Sequence, residues 1–82
     1  MAWVTSFESK IGEGKIQPTQ LVAYVKVFET EGHRKVLQID TYGSGDREHP
    51  KKQSQTLQFG EDAARQLYEI ISRTYGIKTD IQ

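Results

Sequence analysis

A chain of 82 residues without cysteine has material for one hydrophobic core, a single domain over residues 1–82, and neither a disulfide nor a thiolate zinc site is available to staple it. Eleven Lys and Arg balance eleven Asp and Glu, which argues against a strong duplex-DNA binder, because phosphate contacts supply most of that affinity. No apolar run nears the roughly 20 residues that cross a bilayer, and Met1–Phe7 lacks a basic segment followed by an apolar stretch, so a soluble, cytoplasmic protein with no membrane partner is expected.

In chain order, Trp3 to Ile11 alternates, with Trp3, Thr5, Phe7, Ser9 and Ile11 on one side, and this predicts a first strand. Gly12-Glu13-Gly14 and Gln17-Pro18-Thr19-Gln20 interrupt it. Leu21 to Thr30 predicts a second strand, with Leu21, Ala23, Val25 and Val27 on one face and Val22, Tyr24, Lys26 and Phe28 on the other. Glu31-Gly32-His33 reads as a turn in which Gly32 is free to take positive φ. The third strand, Lys35 to Tyr42, sets Leu37, Ile39 and Thr41 against Val36, Gln38, Asp40 and Tyr42. A polar turn from Gly43 to Lys52 leads to a fourth strand, Gln53 to Phe59.

From Glu61 to Tyr75 the period changes to that of a helix. Ile70, Ala63, Thr74, Leu67, Ile71, Ala64, Tyr75 and Tyr68 fill one arc of about 160°, wider than the roughly 100° stripe a single core requires. Glu61 and Asp62 suit the start of the helix dipole and Arg73 its end, and Gly76 is a stop signal. The tail Ile77–Gln82 frays or adds a short strand. The order is β-β-β-β-α, an α+β domain expected to be an antiparallel four-stranded sheet with one C-terminal amphipathic helix. The expected core is Leu21, Val25, Val27, Leu37, Ile39, Leu57, Phe59, Leu67 and Ile70. Leu67 and Ile70 are expected to face the sheet, with Tyr68 and Tyr75 at the edge of a two-fold contact between copies. A small domain with a marginal core and no staple is a natural candidate for such a homodimer.

Chemistry-bearing residues are few. Tyr24, Lys26 and Phe28 interleave aromatic rings with a cation on the outer face of the second strand, Tyr42 joins them from the third, and Arg34, Lys35, Arg47, Lys51 and Lys52 cluster in the turns. Rings of this kind stack on unpaired bases, and basic turns meet phosphates. The bland alternative is a second buried face or a dimer seam built from ordinary strand formers. Gly43-Ser44-Gly45 is followed by neither a Lys-Ser/Thr pair nor a helix, so it is no phosphate loop. Asp46, Glu48 and His49, with His33 and Asp40 as outside members, match no metal-ligand spacing, and no nucleophile motif frames any serine. No catalytic residue, metal or cofactor is expected.

The run Leu37-Gln38-Ile39-Asp40-Thr41-Tyr42, the turn to Lys52, Thr56-Leu57-Gln58-Phe59-Gly60-Glu61-Asp62 and Ala63-Ala64-Arg65-Gln66-Leu67 resemble the transcriptional positive-cofactor-four family and its bacterial relatives. The similarity covers roughly half the chain. It implies a homodimer whose sheets form a groove for single-stranded DNA, with Tyr42 at the family's aromatic position and Lys51 or Lys52 near its turn lysine. Asp40 stands where the family tends to have a basic residue, and Lys51-Lys52-Gln53 replaces its Gly-Lys-Gly approach. The expected function is therefore non-catalytic binding of single-stranded nucleic acid, in transcription or DNA maintenance. Lys26, Lys51, Lys52, Arg47 and Arg34 would contact phosphates, and Tyr24, Phe28 and Tyr42 would stack bases. The alternative is a protein-interaction subunit or inhibitor that grips a protein partner through its aromatic surface or a sheet edge.

Overall fold

The computed structural model of the chain describes residues 1–42 and 53–78, with side chains from residue 55 onward in the second span. Its elements are β1 (Ala2–Trp3), β2 (Tyr24–Glu29), β3 (Lys35–Tyr42), β4 (Gln53–Phe59) and α1 (Glu61–Tyr75). They form an α+β fold: one four-stranded sheet in the order β1-β4-β3-β2 and one C-terminal helix. β2–β3 and β3–β4 pair antiparallel, but β1 runs parallel to β4, with Ala2 opposite Leu57 and Trp3 opposite Gln58. The sheet is thus mixed, which corrects the expected antiparallel meander. β1 sits on the edge farthest from β2, so residues 4–23 must cross the whole sheet, a connection too long for a hairpin.

This crossing also explains why the first strand is far shorter than its alternation predicts. Val4 still donates its N–H to the Gln58 carbonyl at 2.8 Å, but the chain then leaves the sheet. Phe7 meets Phe59 edge-on, ring centroids 5.3 Å apart, and its N–H donates to Gln66 Oε1 at 2.7 Å. From Glu8 to Ala23 no residue belongs to a strand or helix, and every side chain is exposed. Leu21, Val22 and Ala23 belong to this arm rather than to β2.

Alternation fixes the two faces of the sheet. Register places Val25 beside Ile39 and Leu57, and Val27 beside Leu37 and Phe59; these residues look toward α1. The opposite face carries Tyr24, Lys26, Phe28, Val36, Gln38, Asp40, Thr56 and Gln58. The register slips between Thr41, opposite Gln55, and Tyr42, opposite Gln53, an irregularity of the kind that increases local twist.

The helix has the boundaries its pattern predicts. It stops at Gly76, whose φ of 63° is left-handed, and Ile77 N–H donates to the Ser72 carbonyl at 3.1 Å, closing the end as a Schellman motif does. Exposed Glu61 and Arg65, four residues apart, form an ion pair at the border of the groove between α1 and the sheet, an arrangement that contributes little in water. Among the described residues no helix is long and apolar enough to cross a membrane.

The core is smaller than the expected set. Phe59 is 2% exposed and Ala63 and Val36 are buried, whereas Leu37, Ile39, Leu67 and Ile70 are only half-buried. Leu21, Val25, Val27 and Leu57 are exposed. The helix crosses β3 and leaves the β2 edge of its face open, so apolar patterning on β2 finds nothing to bury against.

The β2–β3 hairpin corrects a smaller expectation. The residue with positive φ is His33, at 63°, not Gly32. His33 N–H donates to the Thr30 carbonyl and Thr30 N–H to the Arg34 carbonyl, both at 2.9 Å. This is a three-residue loop in which a tight turn is followed by one left-handed residue, and loop length puts that residue at position 33.

Two stability measurements follow from this geometry. Phe59→Ala should cost about 3–5 kcal/mol in urea denaturation, because it empties the best-buried site under the helix; a loss below about 1 kcal/mol would mean that α1 docks elsewhere. His33→Gly should gain about 1 kcal/mol by relieving a left-handed side chain, and a loss of stability would contradict the loop geometry.

Candidate nucleic-acid interface

The face away from the helix is built by β2, β3 and β4, with Trp3 of β1 reaching the same side through its register with Gln58. Tyr24, Lys26 and Phe28 stand along β2, and Tyr24 packs edge-on against Tyr42 at 5.6 Å between centroids, a diagonal pair on one sheet face. Tyr24 and Lys26 are exposed, and Phe28 and Tyr42 half-buried. Four of the sequence-predicted residues therefore share one surface.

Between them lies a hydrogen-bonded row. Gln58 Nε2 donates to Gln38 Oε1 at 2.7 Å, and Gln38 Nε2 donates to both carboxylate oxygens of Asp40 at 3.0 Å. Thr56 Oγ1 donates to Asp40 Oδ1 at 2.8 Å. An ionised carboxylate only accepts, so Asp40 fixes the polarity of the row. It turns the Gln38 NH₂ toward itself, which presents Gln38 Oε1 to Gln58, which in turn commits the Gln58 NH₂. Asp40 is 7% exposed and Gln38 and Thr56 are also buried, and no buried side-chain polar atom among the described residues lacks a partner. The buried polar groups described on this face thus all have partners, as a buried polar surface requires.

At the other end of the sheet the Arg34 guanidinium lies over the Trp3 ring, 4.9 Å from its centroid, within cation–π range. Trp3, His33, Arg34, Lys35 and the first turn of α1 enclose a hollow of ≈ 450 Å³. Arg34 is therefore placed with Trp3, away from the Tyr24–Tyr42 pair. Arg47, Lys51 and Lys52 lie outside the described residues, as do Asp46, Glu48 and His49. Among the described residues no group of His, Cys, Asp or Glu is gathered as metal ligands would be.

Sequence reasoning missed three contributors to this face. Trp3 was assigned to a strand but not to a neighbour, and only its pairing with β4 brings it to the face. The strand pattern puts Gln38 on the face of Asp40 and Tyr42 but does not link it to Gln58. Their direct opposition across β3 and β4 is the signal that joins them, and it depends on register. Comparison with protein families, with curated proteins and with solved structures gives no match.

The row carries its own test. Asp40→Asn puts an amide NH₂ among donors and should cost about 1–3 kcal/mol of stability in chemical denaturation. Thr56→Val removes a single donor and should cost about 1 kcal/mol. Equal, negligible losses would show that the row does not order the face.

Proposed function

We propose that this protein is a non-catalytic module that binds single-stranded nucleic acid on the sheet face opposite the helix, in the service of transcription or DNA maintenance. The observation that carries the reading is the gathering of Tyr24, Lys26, Phe28 and Tyr42 on one surface around ordered glutamine amides. Aromatic faces stack on any base, and a lysine among them neutralises backbone charge. The one acidic group described on this face, Asp40, is turned to Gln38 and Thr56 rather than to solvent. The resemblance of Leu37–Leu67 to the positive-cofactor-four family supports the same reading. The neutral chain counts against a duplex held by phosphates and, taken alone, favours the protein-partner alternative.

The second reading, a protein-interaction subunit, is favoured by a separate observation: the helix side of the sheet exposes Val25, Val27, Leu57, Tyr68 and Ile71. This apolar area lies on the helix side, not on the aromatic surface or sheet edge that the sequence alone offered for such a partner.

Two substitutions distinguish stacking from charge. Tyr24→Ala should weaken binding of a short oligothymidine by about 1–3 kcal/mol and leave the salt dependence unchanged. Lys26→Ala should lower the log–log salt slope by about 0.7 for one lost phosphate contact. Fluorescence anisotropy at several salt concentrations reads both, and wild-type protein that shows no salt-dependent binding of single strands would overturn the proposal.

A further inference from the structure

We propose that the corner of the sheet formed by Trp3 and Arg34 is a nucleotide site in its own right, in which a base stacks on the Trp3 indole and the adjoining phosphate meets the Arg34 guanidinium. The inference rests on the single-strand reading and adds a second place at which the strand is held.

Register sets the path between the two places. Trp3 stands opposite Gln58, Gln58 opposite Gln38, and Gln38 opposite Lys26. One row therefore crosses all four strands, with a ring at one edge and a cation at the other. Tyr24 lies two residues from Lys26 on the same face. Three strand spacings of about 4.8 Å and two residues along a strand place Trp3 and Tyr24 roughly 16 Å apart. Stacked nucleotides rise about 3.4 Å each, so about five of them cover that distance, and fewer in a stretched strand.

Chemistry sets what the corner takes. The benzo edge of the indole rests against Gly60, where a Cβ would stand 3.6 Å from Trp3 Cζ2. Backbone thus seats the ring, while 40% of the residue stays exposed. The Arg34 guanidinium, 4.9 Å from the ring centroid, makes no ion pair among the described residues. It is a cation held by a ring and not by a carboxylate, so its charge is available to a ligand. The hollow beside them, ≈ 450 Å³ with His33 and Lys35 at its border, has the size of a small-ligand pocket. Glu61 and Asp62 also line it, which disfavours a phosphate ion by itself. A nucleotide suits that mixture better, since its base takes the ring and only its phosphate needs the cation.

Trp3 is the chain's only tryptophan, so its fluorescence reports on this corner alone. Oligothymidines of two to eight nucleotides are titrated with the full chain, and Trp3 emission and the anisotropy of the labelled strand are followed together. Emission should be quenched with the same midpoint as the anisotropy. A hexanucleotide should bind at least about tenfold more tightly than a dinucleotide, because only the longer strand reaches both places. Strand binding that leaves Trp3 emission unchanged overturns this site and leaves the Tyr24–Tyr42 surface standing, whereas no strand binding at all overturns both. Trp3→Leu should weaken the hexanucleotide about tenfold, the loss of one stack. An unchanged affinity overturns the proposal even where wild-type emission is quenched. If Trp3→Leu fails to fold, Arg34→Gln, at an exposed loop position, takes its place: it should lower the log–log salt slope by about 0.7, and an unchanged slope contradicts the proposal.

Discussion

Among the described residues one 15-residue helix covers a face of a four-stranded sheet, and the rest of the described structure follows from that limited cover. Where the helix lies, around Phe59 and Ala63, side chains are buried; beyond it, on β2, apolar residues stand in the open. No amount of local propensity repairs this, because burial needs a second surface. The sheet is therefore divided between a small packed region under the helix and apolar residues on β2 that stay exposed.

The other face meets the opposite problem with different chemistry. Polar side chains cannot be left unpaired under a sheet surface without cost, and here they pair with one another. Asp40 anchors Gln38 and Thr56, and Gln38 anchors Gln58, so the strands are cross-linked by side chains as well as by backbone. The two faces thus differ in chemistry, one polar and cross-linked by side chains, the other apolar and partly exposed.

Much of the architecture was legible in the sequence, and the exceptions share a cause. β3, β4 and α1 have the boundaries their patterns predict, because each period is strong and each end is marked, as Gly76 marks the helix stop. The alternation of β2 correctly sorted Val25 and Val27 from Tyr24, Lys26 and Phe28. What failed depended on partners distant in sequence. Trp3 to Ile11 alternates as a strand should, yet only Ala2–Trp3 finds a neighbour, and that neighbour is β4 in parallel. Gly32 looked like the residue for a left-handed turn, but the loop's length assigned that conformation to His33. Leu57 and Val27 looked like core, but periodicity names a face without saying whether anything covers it. The joining of Gln38 to Gln58 required register, which no single-strand pattern contains.

The proposed function places single-stranded nucleic acid on the sheet face opposite the helix. Side-chain NMR of the full chain titrated with a short oligothymidine tests it most directly. The account predicts that the Trp3 indole N–H and the Gln58 side-chain amide shift with added strand, while the methyl groups of Val25, Val27, Leu57 and Ile71 stay in place. Shifts confined to those methyl groups, with the indole and the amide unmoved, would contradict it.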